Sequence, residues 1–400
     1  MKETPKWLTK IQNNSWEPEI IISGFSIAFF FILPKHIYNF TAMLIQDFGA
    51  DATLSFFQYA IMTFIITSLK VLFIGHLILR GLWTGLVGLS YVFPKGVKEE
   101  LLEKDLKNVV FKKPIDLVIE IEKICSLIFS FAFMIILYLI RILMFYFLLI
   151  AADMLFYVFK LSSSVMFFGQ LALIAVATVV FVIFIKFKKK KFVDYVSKSV
   201  TGNLIQTLST NVSKKKMRLI LLSFVIITIP LSYSGISKFK FDVRKSRKEN
   251  KNTLTYINQN NYLDEKKNEL RIPRAALSTF SVENDKLELY ISTYKSDENL
   301  VRNVKEKFEV YNDLMPGSDI NKLDSTGLYQ IFIDDELVTI DDWLLIKGVY
   351  NSQKFLVAEI PTDSLSNGIH TLKIKRLKWR SSNKKLELVE NWANIPFKKE

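Results

Sequence analysis

Apolar and polar positions divide the chain near residue 236. Before that point the apolar residues stand in long blocks, and after it they form short runs in a polar background, several alternating with a period of two. A helix needs about twenty apolar residues to cross a bilayer. Blocks of that order lie at 20–38, 52–79, 124–150, 161–185 and 219–236, so the pattern predicts an α-helical polytopic membrane region of about five spans over residues 1–238. Trp16 and Tyr38 bracket the first block as interfacial aromatics do. The uncharged stretch 81–93, with Gly81, Gly85 and Gly88, is too short to cross by itself and is expected as an interfacial or re-entrant helix.

Two basic segments between the blocks, 95–123 and 186–218, read as cytoplasmic amphipathic elements. Phe192, Val196, Val200, Leu204 and Leu208 recur every four positions, one face of a helix. Residues 104–122 read similarly, with the helix restarted at Pro114, whose fixed φ suits a first turn.

Residues 239–270 form a polar, basic connector, and 271–400 are expected as an extracytoplasmic β-rich domain. Strand patterns fall at 287–294, 328–333, 343–346, 354–360 and 370–377, separated by turn signals at Asp334–Asp335 and Asn367–Gly368. A helix with Ser296 as its cap is expected over 296–314. Short antiparallel strands at this spacing suggest an immunoglobulin-like sandwich, its tryptophans Trp343, Trp379 and Trp392 filling the space between sheets with Tyr329.

Half of the 400 residues are hydrophobic and 33 are Phe, which excludes an ordinary water-soluble composition. The net charge of +14 sits beside the apolar blocks, which points to anionic lipid headgroups and away from nucleic acid. Lys186, Lys188, Lys189, Lys190 and Lys191, with Lys214, Lys215 and Lys216, are candidate anchors to an anionic inner leaflet. Each such charge contributes about 1 kcal/mol at that surface. Segment 95–123 carries seven lysines, whereas the loops 35–51 and 151–160 carry one each. Positive charge stays inside, so the N-terminus is expected in the cytoplasm and the fifth span carries the C-terminal domain out. Lys2, Lys6 and Lys10 precede the first block without a small-residue cleavage site, so that block is read as an uncleaved span.

Cys125 is the only cysteine, so no internal disulfide or cysteine metal site forms. His36, His76 and His370 lie in different regions without a second ligand at metal spacing, and no phosphate loop or nucleophile elbow is present. No catalytic, cofactor or metal site is therefore expected. Asp334, Asp335, Glu336, Asp341 and Asp342 lack the spacing of a calcium loop and read as turn-forming acids.

Ionisable residues at membrane depth cost about 3 kcal/mol or more, which makes Lys70, His76, Arg80, Arg141 and Asp153 the candidate functional or structural charges. On one helix Arg141 and Asp153 would stand about 18 Å apart along the axis, too far for a direct pair. The chemistry favours a non-enzymatic component of a bacterial cell-envelope complex in the inner membrane. Such a component presents its outer domain to other envelope proteins in a homo- or hetero-oligomer. A channel or transporter subunit using Arg141, Asp153 and the glycine stretch 81–88 is the alternative. An enzyme acting on envelope lipids is a second alternative.

Overall fold

A computed structural model gives the architecture. It describes residues 16–103, 105, 109–158, 165, 168–169, 171–176, 178–179, 198–239, 241, 261–264, 270–283, 285–306, 311, 313–315, 324–340, 342–347, 353–380 and 385–400. The chain divides into a helical unit (residues 1–34, 61–150 and 174–236) and a second unit (35–60, 151–173 and 237–400).

Among the described residues, five longer helices precede the strands: α1 (Trp16–Phe48), α2 (Ala52–Val92), α3 (Pro114–Val158), α4 (Val200–Asn211) and α5 (Lys214–Ile236). Of these, α1 and α2 are long and apolar enough to cross a membrane. The turn joining them is built from local chemistry. Gly49 takes a φ of 73°, the left-handed conformation that closes a helix. Asp51 then caps α2, its Oδ1 accepting from the backbone N–H groups of Thr53 and Leu54 at 2.9 Å each. Pro114 is the first residue of α3, as its ring geometry favours. Ser199 caps α4 by accepting from Gly202 N–H at 3.0 Å.

Three boundaries differ from the expectation. The stretch 81–93 is not a separate interfacial helix, because α2 runs unbroken to Val92. Gly81, Gly85 and Gly88 stand in open surroundings, and no proline or cap interrupts the backbone bonds there. Residues 109–113 are not helical and helix restarts at Pro114 as expected, but α3 then merges 114–123 with the block 124–150. Helix also continues to Val158 through most of the expected loop 151–160. The block 161–185 lies mostly outside the described residues, as do Lys186 to Lys191 and most of the connector.

The strands are β1 (Ala275–Leu277), β2 (Ser281–Val282), β3 (Lys286–Ser292), β4 (Tyr329–Ile333), β5 (Glu336–Val338), β6 (Leu344–Lys347), β7 (Lys354–Pro361), β8 (Gly368–Arg380) and β9 (Lys385–Lys399). They make two sheets, ordered β1-β3-β7-β6 and β2-β9-β8-β4-β5. Among the described residues the strands pair antiparallel except β2 with β9, and a parallel bridge joins Tyr262 to Leu277 of β1. Leu287, Leu289 and Ile291 from one sheet share an apolar core with Ile331, Ile374, Trp392 and Phe397 from the other. Trp343 and Trp379 pack partly buried against it, as expected of core aromatics. At the β4–β5 reversal Asp334 and Asp335 both take positive φ, 49° and 71°, the conformation of a two-residue hairpin turn. Helix α6 (Lys295–Glu306) opens one residue before Ser296. Its first turn is closed by Asp297, whose Oδ2 accepts from Tyr294 N–H at 3.2 Å, and not by Ser296.

In the helical unit α5 approaches α2 closely at Gly235, where an added Cβ would stand 2.8 Å from Thr63 Cγ2. Small residues permit such approaches between apolar helices. Gly235→Ala should lower the thermal unfolding midpoint, since overpacking costs about 1–3 kcal/mol against a helix-propensity gain of at most about 1 kcal/mol. Thr63→Ser in the same chain, by removing the methyl, should restore most of the loss in a differential scanning measurement.

Candidate functional site

The interior of the helical unit holds polar side chains beside apolar ones such as Phe30, Ile66, Leu69 and Phe73. Phe25, Phe29, Phe31, Ile32 and Ile78 are exposed, while Glu19, Ser23, Thr63, Ser68, His76 and Arg80 are buried. Polar groups turn inward when the surroundings are apolar.

At the centre of this polar interior is Arg80, 1 % exposed. His76 and Arg80 are four residues apart on α2 and so share a face. Arg80 Nη2 donates to Glu19 of α1, and Nη1 donates to Glu122 Oε2 of α3 at 2.8 Å. A second bond runs from Nη2 to Glu122 Oε1 at 3.2 Å, making the pair two-pronged. His76 Nε2 lies 3.3 Å from Glu19 Oε2, and Nδ1 lies 2.9 Å from Ser23 Oγ. A carboxylate only accepts, so Nε2 carries the proton toward Glu19, and Nδ1 shares a hydrogen bond with the Ser23 hydroxyl. The Arg80 guanidinium stands 5.3 Å from the Trp83 ring, and Phe129 lies 5.1 Å from the His76 ring. Three helices thus meet at one cation with two carboxylates.

Lys70 is half-buried on α2 with Nζ 4.7 Å from the Phe31 ring centre. Arg141 is exposed on α3, and Asp153 lies on the same helix. Lys214, Lys215 and Lys216 form the first turn of α5, with Lys215 exposed. His36 lies within α1. Among the described residues no group of three or more metal-binding side chains is present.

Glu19 and Glu122 carry the cluster yet escape a sequence reading. One stands before the first apolar block and the other in a segment read as cytoplasmic, so neither looks intramembrane. The available signal was the i, i+4 pair of His76 and Arg80, whose burial on α2 demands acidic partners at the same ends of neighbouring helices.

Two further arginine sites lie in the second unit. Arg271, 3 % exposed, donates from Nη1 to Gln46 Oε1 at 3.2 Å and from Nη2 to Asp47 Oδ2 at 2.8 Å. Its backbone N–H donates to Asn39 Oδ1 at 2.9 Å, and Gln46 Nε2 donates to Ile272 O at 2.8 Å. Beside these bonds Phe239 and Phe241 pack with Tyr38 and Tyr59. The segment leading into the sheets is thereby fastened to the α1–α2 turn.

Arg376 of β8 donates to Asp297 at the start of α6. Its guanidinium lies 5.1 Å from Tyr294, 5.7 Å from Tyr329 and 5.3 Å from Trp392. Burial works against the Arg376 charge, but Asp297 and the two phenols hold its proton more firmly than usual. Burial pushes the Tyr294 phenol up to about 12. This buried pair belongs to the interior of the domain.

Removing Arg80 leaves Glu19 and Glu122 facing each other without a cation. Breaking a buried pair costs about 3–5 kcal/mol, so Arg80→Met should lower the unfolding midpoint in detergent far more than Arg141→Met does. Glu19→Gln added to Arg80→Met should recover part of the loss.

A separate pH dependence follows from His370. Its Nδ1 is 2.5 Å from Asp334 Oδ2 and its Nε2 is 2.7 Å from Ser366 O, both acceptors, so the doubly protonated ring satisfies both. The bond to Asp334 raises its pKa, with the Ser366 carbonyl adding to the effect. The stabilisation is present below the ordinary histidine value of about 6.5 and is lost as pH rises through the folded value. The fall in thermal midpoint of the full chain between mildly acidic and mildly basic pH should be smaller in His370→Gln than in the wild type.

Compared with known family models, curated proteins and solved structures, the chain matches none of them.

Proposed function

We propose that the chain is a non-enzymatic, multi-pass component of a bacterial cell-envelope complex, spanning the inner membrane about five times. In this reading an immunoglobulin-like sandwich domain outside the membrane is presented to other envelope proteins. The observation that carries it is the fastening of residues 271–272 to Asn39, Gln46 and Asp47. A domain on a slack tether would sample many orientations. Here the chain entering the sheets is hydrogen-bonded to a helix end and packed on Tyr38 and Tyr59.

The sidedness has independent support. The lysine count assigns the turn between α1 and α2 to the outside, because segment 95–123 holds seven lysines and 35–51 holds one. The hydrogen bonds from Arg271 to Gln46 and Asp47 support putting the β-rich residues on the same side as that turn, without using charge at all. The basic first turn of α5 and the lysines at 186–191 would face an anionic inner leaflet.

A channel or transporter is the second reading, and it now rests on a different group of residues. The glycine stretch 81–88 is continuous helix, whereas Glu19, His76, Arg80 and Glu122 form a buried polar group within apolar helices.

Purification of the intact protein in mild detergent separates the two. Under the first reading, other chains co-purify in fixed ratio and are lost when residues 240–400 are removed. Arg271→Ala should weaken that association while leaving the helical region inserted. A homo-oligomer without other chains, whose ion flux in liposomes falls at least about tenfold in Glu122→Gln, would replace the first reading with the second.

A further inference from the structure

Among the described residues the two sheets have four edges, and they are not equally protected. Strand β1 is buried at all three positions, and β2 is only two residues long and pairs with β9. Natural edges are kept safe in these ways, by cover or by brevity. Strands β5 and β6 lie at the opposite edges of the two sheets and are joined by residues 339–343 alone, so both edges fall on one side of the domain. There Leu337, Leu344 and Leu345 are 62 %, 64 % and 67 % exposed. Successive side chains of a strand point to opposite faces, so Leu344 and Leu345 leave both faces of the β6 edge apolar. No proline or bulge blunts it, and its one charge is Lys347 at the end.

Charge marks out the same edge. Between Ile331 and Ile346 there are five acids and no lysine, arginine or histidine, in a chain of net charge +14. Asp334 and Asp335 are engaged by His370 and Lys373, but Glu336 and Asp342 are exposed beside the leucines.

We propose that the β6 edge accepts an extended segment of a partner protein as an added strand, and that this segment alternates apolar residues with lysine or arginine. Main-chain bonds to β6 would supply the pairing, Leu344 and Leu345 the apolar contact, and Glu336 and Asp342 the charge preference. This inference rests on the envelope-component reading and names the chemistry of the partner.

The test uses the full chain in detergent and a labelled synthetic peptide alternating lysine and valine. Peptides alternating glutamate with valine and lysine with serine serve as comparators. The lysine–valine peptide should bind at least about tenfold tighter than either comparator and slow hydrogen exchange at residues 344–347. The exposed reversals Glu336→Lys and Asp342→Lys, which leave the core untouched, should weaken it by about the same factor. Leu345→Pro, which removes a strand donor, should abolish the exchange protection. Equal affinity for the three peptides, or protection confined to other strands, would overturn the proposal. Failure of the peptide while envelope chains still co-purify through residues 240–400 sinks the edge and leaves the envelope reading standing. Peptide binding at β6 with no co-purifying chain sinks the envelope reading instead.

Discussion

A guanidinium taken out of water is costly unless a carboxylate meets it, and three arginines of this chain are buried on those terms. Arg80 joins α2 to Glu19 of α1 and Glu122 of α3. Arg271 joins the entry to the sheets to Asp47 at the end of α1. Arg376 joins β8 to Asp297 at the start of α6. Each pair links segments far apart in the chain, so each fixes one arrangement among many that apolar packing alone would tolerate. Apolar contact supplies most of the driving force, but it is non-directional. The arginines add the direction.

That division of labour explains what could be read from the sequence. Strands β3, β4, β6, β7 and β8 were legible to within a few residues, since period-two runs bounded by turn residues encode them locally. The Asp334–Asp335 reversal was equally plain. Strand β9 escaped because Glu387, Glu390, Asn391 and Asn394 interrupt its apolar positions and Pro396 stands within it. It forms nonetheless, because β8 offers a long partner and Trp392, Ile395 and Phe397 are buried in the core. Strand β1, Ala-Ala-Leu, has no strand signature of its own and exists through its pairing with β3. The charge clusters were half visible. His76 and Arg80 drew attention as ions in an apolar block, while their acidic partners stood in segments assigned to water.

The helical unit and the β-rich domain both bury charged groups among apolar side chains. In the domain Leu287, Leu289 and Ile374 face inward, and among the charges Arg376 and Asp297 are buried under a cover of aromatic rings. In the helices Phe25, Phe29, Ile32 and Ile78 are exposed, while Ser23, Thr63, His76 and Arg80 are buried, as are Phe30, Ile66 and Phe73. Ser23, buried on α1, is a partner for His76.

The bond between Arg271 and Gln46 spans 225 positions of sequence. A ribosome adding about 5–20 residues per second needs roughly ten to forty-five seconds to travel that distance. Throughout that interval the α1–α2 turn exists without the chain that covers it, and Tyr38 and Tyr59 wait for Phe239 and Phe241. Order of manufacture thus separates two halves of one interface. The first half must persist as an exposed aromatic surface while every intervening helix is made, which places its greatest vulnerability during biosynthesis and not in the finished molecule.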